Sequence, residues 1–362
     1  MKKIIFHHPL PLRENTASAS GIRPLKMMQA FEKIGYQVTL VTGYCRERKK
    51  SIEDIKQQIH SGVKFDFLYS ESSTQPTLLT EKDHLPMCPF LDFNFFRFCK
   101  NNGIKIGLFY RDIYWLFPEY GISLSFFKRK IAKFFYRYDL QKYNDLVDIV
   151  YLPSYQMAKY IPTVSQNKFK PLPPGQDEYA TKELKTIDEP IELLYIGGLG
   201  SHYQMHKLFS VLKKFPKIHF TLCTRENEWK NIKEEYEPTT NNISIVHKSS
   251  GDLKDLYQNA HIAMLFVKPQ EYWEFAAPVK LYEYIGQEKP IIASIGTLAG
   301  EFVNENDIGW SLEYNEKDIE NFFKYLLESS SILYAKIKNI NKIKHKHSWE
   351  ARAEEVQKDL SK

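Results

Sequence analysis

Lys3-Ile4-Ile5-Phe6, then a Pro- and Ser-rich stretch from Pro9 to Gly21, then Leu25, Met28, Ala30, Phe31 and Ile34, then Gly35, then Gln37-Val38-Thr39-Leu40-Val41-Thr42: this order decides the fold. The first run has the length and apolarity of a short buried strand. The five apolar residues recur at helical spacing, and Gly35 supplies the positive φ with which helices often end. The last run is rich in β-formers. Strand, helix and strand in this order make a βαβ unit, which implies a parallel sheet. Further strands are expected at Lys64–Leu68, Ile106–Tyr110 and Ile149–Leu152, with a helix from about Leu124 to Asn144.

Lys170-Pro171-Leu172-Pro173-Pro174-Gly175 breaks the pattern, and the polar residues up to Pro190 have no periodicity, as in a linker. The pattern restarts with a strand at Ile191–Ile196, closed by Gly197-Gly198-Leu199-Gly200. Phe209, Leu212 and Phe215 mark a helix. Strands follow at Ile218–Cys223, Ile243–Val246 and Ile262–Val267, then a helix over Val279–Ile285 and a strand over Pro290–Ser294. The expected class is α/β: two Rossmann-like, doubly wound domains facing a central cleft, with ligands at the carboxyl ends of the strands. The expected domains are residues 1–175 and 176–345, with 346–362 a C-terminal helix packing back on the first.

A chain of 362 residues is too long for one ordinary core, which agrees with two domains. The net charge of +6 is uneven: residues 1–180 hold 26 Lys/Arg against 17 Asp/Glu, and residues 181–362 hold 24 against 27. A basic first half suggests an anionic partner for that half. Cys45, Cys88, Cys99 and Cys223 form no CxxC pair, and no Cys/His group has zinc spacing. Reduced thiols in a cytosol and no metal are therefore expected. The apolar run after Lys2-Lys3 stops too soon for a signal peptide, and no stretch reaches the ~18–20 apolar residues of a membrane span. A cytoplasmic protein, soluble or peripheral on the inner face of the plasma membrane, is expected. No G-x-G-x-x-G follows the first strand, which disfavours a dehydrogenase, and no RNA- or DNA-binding motif supports a nucleic-acid partner.

The most specific segment is Pro278-Val279-Lys280-Leu281-Tyr282-Glu283-Tyr284-Ile285-Gly286-Gln287-Glu288-Lys289-Pro290-Ile291-Ile292. Pro278 suits a helix start, where free N–H groups and the dipole favour an anion. Lys280 adds a charge in that first turn. Glu283, one turn on and on the same side, suits two adjacent ribose hydroxyls. An ordinary capped helix with a solvated Lys–Glu pair fits the same residues. Gly197, Gly198 and Gly200 let a backbone approach a phosphate closely, although Gly-rich turns also simply join strands to helices.

In the first half, Tyr110-Arg111-Asp112 ends a strand. Asp112 is the candidate base if a reaction here inverts configuration, and Arg111 a partner for an acceptor; a helix N-cap is the competing role of Asp112. Ser20, Gly21 and Arg23 lie at and beyond a small polar loop expected over the cleft, on the acceptor side. His7 and His8 end the first strand, where a lone His is more often structural. Over residues 124–138, Leu124, Phe127, Ile131, Phe134 or Phe135, and Tyr138 share a helical face, with five Lys/Arg on the others. That pattern fits an anionic membrane surface, and equally a buried face backed by a solvated basic one.

The segment from Pro278 to Ile292 resembles the hallmark of glycosyltransferase family 4, the glycosyl transferases group 1, in which P-x-K-x-x-E precedes G-x-P-I/V-I. Ser20-Gly21-Ile22-Arg23 with Gly35-Tyr36-Gln37-Val38, Leu172-Pro173-Pro174-Gly175, Tyr195-Ile196-Gly197-Gly198-Leu199, Asp307-Ile308-Gly309-Trp310 and Ser348-Trp349-Glu350-Ala351-Arg352 resemble other features of that family, in order. The resemblance implies a GT-B enzyme. Glu283 then binds the ribose, Lys280 and Pro278's helix start the diphosphate, and configuration is retained. The co-substrate is a nucleotide-sugar, UDP- or GDP-linked, with no cofactor and no obligatory metal. The acceptor is a saccharide or lipid-linked oligosaccharide in surface polysaccharide synthesis.

Two departures from the family stand out. Its second carboxylate, eight positions before Glu283, is replaced by Phe275, and the nearest acid is Glu274, with Glu271 and Tyr272 beside it. The Arg and Lys that follow the glycine loop are replaced by Gly198 and His202-Tyr203-Gln204, so His202 or Arg225 must help neutralise the phosphates. An inverting GT-B enzyme, a GT-B nucleotide-sugar epimerase and a non-enzymatic basic lipid- or nucleic-acid-binding protein are the competing readings.

Overall fold

The computed structural model describes residues 2–12, 19–177, 190–200, 203–236, 239–248, 252–329 and 331–361. The chain divides into two compact units, Met1–Pro174 with Trp349–Lys362, and Gly175–Ser348.

The first unit runs β1 (Lys3–His8), α1 (Ala19–Lys33), β2 (Gln37–Thr42), α2 (Cys45–His60), β3 (Phe67–Glu71), α3 (Leu91–Asn101), β4 (Lys105–Phe109), α4 (Phe126–Leu146), β5 (Ile149–Leu152) and β6 (Phe169–Pro171). Its six strands, in the order β2-β1-β3-β4-β5-β6, are all parallel. Ile4, Phe6, Phe67 and Tyr69 pack on Met27, Ala30 and Phe31 of α1. The last helix of the chain, Trp349–Leu360, closes the same core with Trp349, Ala353, Val356 and Leu360, a stripe at helical spacing. Gly107 makes room for it: a Cβ there would stand 2.7 Å from Leu360 Cδ1.

Strand β3 lies three residues later than its expected position. Asp66 N–H donates to Lys3 O, and Phe67 pairs with Ile4, which carries the strand on through Ser70 and Glu71. Those two polar residues look like loop in the sequence but are fully enclosed, because partners from other elements meet them. The cysteines bring a second correction. Cys45 and Cys88 are joined in a disulfide that spans 43 residues, so only Cys99 and Cys223 remain as thiols. The topology brings the pair together; no sequence spacing signals it.

On α4, the core-facing stripe begins only at Ala132 and continues through Tyr136, Asp139, Leu140, Tyr143 and Leu146. Burial pushes the Asp139 carboxyl up to about 7, against the hydrogen bond that Thr77 N–H donates to Oδ2 at 2.7 Å. Its Oδ1 is buried and accepts from nothing among the described residues. A raised carboxyl favours the protonated folded state, so this group's stabilisation is complete below about pH 4 and is lost as pH rises through about 7. Asp139→Asn should flatten that decline, read as the midpoint of urea unfolding between pH 4 and 8. An unchanged slope would rule Asp139 out as its source.

The second unit runs β7 (Ile191–Ile196), α5 (His206–Leu212), β8 (Ile218–Cys223), α6 (Glu226–Ile232), β9 (Ile243–Val246), α7 (Lys254–Asn259), β10 (Ile262–Leu265), α8 (Val279–Gly286), β11 (Ile291–Ser294), α9 (Leu298–Glu305), β12 (Gly309–Leu312), α10 (Glu316–Glu328) and α11 (Ile332–Ile343). The Trp349–Leu360 helix of the first unit is α12. Helix α5 stops before Phe215, which was expected within it; the residue before Pro216 disfavours helical ψ, and Phe215 packs on Phe323 instead. The sheet order is β12-β11-β10-β7-β8-β9, again parallel throughout. Both faces are covered: Leu193 and Tyr195 point into one core, Leu194 and Ile196 into the other. Both units are thus Rossmann-like, the architecture of a GT-B protein.

Candidate active site

Doubly wound sheets bind ligands where strand order reverses, beyond the carboxyl ends of the strands. In the second unit that point lies between β7 and β10. The Gly-rich loop leaves β7 there, and the chain after β10 leads into α8. Tyr284, fully buried, ties the two together: its hydroxyl accepts Ile196 N–H at 2.9 Å. Tyr195 curls beneath the loop and donates to Gly198 O at 2.8 Å. Its hydroxyl would lie 2.6 Å from a Cβ on Gly197, and Gly200 has φ +141°, so neither position takes a side chain freely.

Pro278 is the N-cap of α8, and the next residues form its first turn. Lys280 Nζ pairs with Glu283 Oε2, and Tyr257 OH donates to the same oxygen at 3.0 Å. Glu283 Oε1 accepts from nothing among the described residues. Both side chains of the pair are about one quarter to one third exposed, at 26% and 30%. An oriented, half-open carboxylate with one committed and one open oxygen suits a vicinal diol, with a cation one turn nearer the helix start. Tyr257 was missed by the sequence reading, since it comes from α7, 26 residues away.

The displaced carboxylate falls on a 3-10 turn, Glu271–Glu274. Glu274 is exposed there, and Tyr272 packs its ring against Trp273 and Phe275. Arg225 follows β8 and pairs with Glu228. His202 lies outside the described residues. A cavity of about 420 Å³ in this unit opens between Glu192, Thr221, Gln258 and His261, near the strand starts and away from the Gly-rich loop. No group of His, Cys, Asp or Glu among the described residues is arranged to hold a metal ion.

In the first unit the strand order reverses between β1 and β3. Ser20 and Gly21 sit in the first turn of α1. Arg23, expected on the acceptor side, is instead buried at 2% exposure. Its Nε donates to Glu71 Oε1 at 3.1 Å, its other nitrogens to Pro173 O and Leu172 O, and it stacks on Phe109. Arg111 reaches the other oxygen of Glu71 at 3.2 Å, and Tyr69 OH donates to Glu71 at 2.9 Å. Asp112 accepts Tyr114 N–H at 3.0 Å, just ahead of the turn Tyr114–Leu116, whose N-cap is Ile113. Glu71 is the residue the sequence reading missed: it is enclosed, and it organises both arginines.

The two histidines differ. His7 is held between Ser70 Oγ, at 2.8 Å, and Asp92 Oδ1, at 2.9 Å, while Arg48 grips both oxygens of Asp92. Burial alone raises the Asp92 carboxyl; the His7 hydrogen bond and the Arg48 charge outweigh it and hold it below its usual range. His8 donates Nδ1–H to Glu71 O at 2.9 Å, and burial lowers its pKa to about 3, so it stays neutral.

Two Rossmann-like units on one chain, each a parallel six-stranded sheet flanked by helices, define the GT-B class. Residues 177–344 match the model of the family described as glycosyl transferases group 1, and the chain is a glycosyltransferase resembling family 4. No curated protein sequence matches it. Its fold is similar to that of HepE from Anabaena, solved in complex with UDP and glucose, at TM-score 0.64, 13% identity and full coverage of both chains. It is also similar to sucrose-phosphate synthase from Thermosynechococcus elongatus, at TM-score 0.65 and 12% identity over 99% of this chain and 98% of that one. WaaG, a glycosyltransferase involved in lipopolysaccharide biosynthesis, matches at TM-score 0.60 and 10% identity over 99% of each chain.

Proposed function

We propose that this enzyme moves a hexose-type sugar from a UDP- or GDP-linked donor to a saccharide or lipid-linked oligosaccharide, in the synthesis of a surface polysaccharide such as capsule, O-antigen or exopolysaccharide. The observation that carries the donor half is the Tyr257–Lys280–Glu283 cluster on the switch-point helix of a unit matching group 1 glycosyltransferases. HepE holds UDP and glucose on the same fold, which supports a uridine donor. Glu283 Oε1 accepts from the ribose hydroxyls. Lys280 and the start of α8 stabilise the negative charge that grows on the diphosphate as the glycosidic bond breaks. The anomeric configuration is retained, with no metal required. Proton NMR of the first product formed tests this: an inverted anomeric coupling would sink retention and return Asp112 to the role of base.

The acceptor half rests on α4. Ile122, Leu124, Phe126, Phe127, Ile131 and Phe134 are all exposed, Phe127 at 76% and Phe134 at 63%. No helix among the described residues is long and apolar enough to cross a membrane. The apolar face expected over 124–138 is therefore uncovered rather than buried, and Lys128, Arg129, Lys130, Lys133 and Arg137 flank it without an acid before Asp139. Water is a poor solvent for such a face, at ~1.5–3 kcal/mol per large side chain. An anionic bilayer satisfies both halves, at ~1 kcal/mol per nearby cation. Such a surface on the inner face of the plasma membrane presents a lipid-linked acceptor. Wild-type protein should float with anionic liposomes at low salt, and Phe127→Glu with Phe134→Glu should remain at the bottom of the gradient. Equal flotation of both proteins would remove α4 as the contact.

A further inference from the structure

The Gly-rich loop that should receive the donor's phosphates already holds an anion. Glu228, on α6, accepts Leu199 N–H at 3.1 Å through Oε2. The same oxygen stands 3.3 Å from where a Cβ on Gly198 would lie, so the carboxylate rests directly on the loop's backbone. Its other oxygen, Oε1, pairs with Arg225 Nη1. These groups converge because β7 and β8 are neighbours: Ile196 pairs with Cys223, and Gly197 N–H donates to Cys223 O at 3.0 Å. The glycine loop leaves one strand end and Arg225 leaves the next.

A backbone N–H at a glycine turn beside a guanidinium is a pair of donors suited to a phosphate oxygen as much as to a carboxylate. One set of donors cannot serve a carboxylate and a diphosphate together, and the two anions repel at contact distance. Glu228 is free to leave, since its side chain is 27% exposed and that of Arg225 64%. The loop itself carries no Lys or Arg among its described residues, and Glu228 joins its backbone to the guanidinium of Arg225.

We propose that Glu228 is a built-in stand-in for the donor diphosphate, and that Arg225 is the phosphate-binding cation it keeps in place until the donor displaces it. The diphosphate takes over the Leu199 N–H and the guanidinium, and Glu228 turns to solvent. The carboxylate thereby sets the donor affinity of the site: it competes with every anion that enters. It also supplies a reason why the site can do without a cation inside the loop, since the charge comes from the neighbouring strand end. This inference rests on the reading of the loop as the seat of the donor phosphates.

Titration calorimetry with UDP, GDP, uridine, guanosine and inorganic pyrophosphate, on wild type, Glu228→Gln, Arg225→Gln and Glu283→Ala, tests it. Glu228→Gln keeps the shape and an acceptor for Leu199 N–H but removes the charge. It should bind UDP or GDP, and pyrophosphate, about tenfold tighter than wild type, with nucleoside affinity unchanged. Arg225→Gln should bind the diphosphates about tenfold more weakly and the nucleosides equally. A purely structural role for Glu228 would give weaker binding or none of this dependence on phosphate. If wild type binds a nucleoside diphosphate, Glu283→Ala loses it and Glu228→Gln is no tighter, the stand-in is overturned and the donor site survives. If wild type binds neither nucleotide, the donor reading fails and the inference falls with it.

Discussion

Glu283→Ala should abolish the rise in melting temperature that a nucleoside diphosphate gives the wild-type protein. At about 100 Kd of the right ligand, wild type gains ~2.7 kcal/mol of stability. A hydrogen bond to a charged group contributes ~1.5–3 kcal/mol, and a carboxylate bridging two ribose hydroxyls makes two of them. Losing them raises Kd by about 100-fold or more, so the same ligand concentration leaves the variant with ~0.4 kcal/mol at most. The fold should hardly notice, because the Lys280–Glu283 pair is 26% and 30% exposed and such a pair adds only ~0–1 kcal/mol. Binding and stability therefore separate cleanly in one thermal-shift plate of wild type and variant against UDP, GDP, CMP, TDP and NAD. A variant that keeps the full rise would place the ribose elsewhere, and a wild type silent to all five would turn attention to the basic first unit.

Glu71→Ala should be the most damaging single change in the first unit. Glu71 has no exposed surface and neutralises two guanidiniums at once, Arg23 and Arg111, while accepting from Tyr69. Without it, two like charges are left in the interior facing one another, and breaking one side of a buried ion pair alone costs ~3–5 kcal/mol. Burial already lowers the Arg111 pKa, and the Glu71 charge is the chief influence opposing that shift. Hydrogen exchange resolved by peptide should show protection lost across β1, β3 and β4, with β7 to β12 unaffected. Uniform loss over both units, or none, would contradict this. Glu71→Gln, which keeps a neutral acceptor in place, should fall between the variant and wild type.

These two glutamates mark the boundary of what the sequence discloses. The βαβ order of the first fifty residues is legible because each element carries its own signal: Gly35 does end α1 with φ +93°, and Ile149–Leu152 is β5. Helix α8 is legible for the same reason, with Pro278 at its start and Gly286 at its end. Glu71 is not, since a polar residue at a strand end resembles loop until α1 and the chain after β4 deliver their arginines to it. Arg23 shows the converse: nothing in its sequence neighbourhood tells that this charge is interior. Glu228 and Tyr257 reach the site from α6 and α7, and only strand order brings those helices beside the glycine loop and α8. On α4, periodicity locates an apolar face but not what covers it; that depends on where the core-facing stripe begins, at Ala132.

The chain passes from the first unit to the second after Pro174 and comes back after Ser348, and at these two ends of the second unit Gln176 N–H donates to His347 O at 2.8 Å. The first unit is consequently not a continuous stretch of gene. A fragment ending at residue 174 would be born with a hole where Trp349, Ala353, Val356 and Leu360 belong. To express it alone, the final helix must be spliced on behind residue 174 through a short connector. The second unit, by contrast, can be cut out as one uninterrupted segment, Gly175–Ser348, and its donor chemistry studied without the rest.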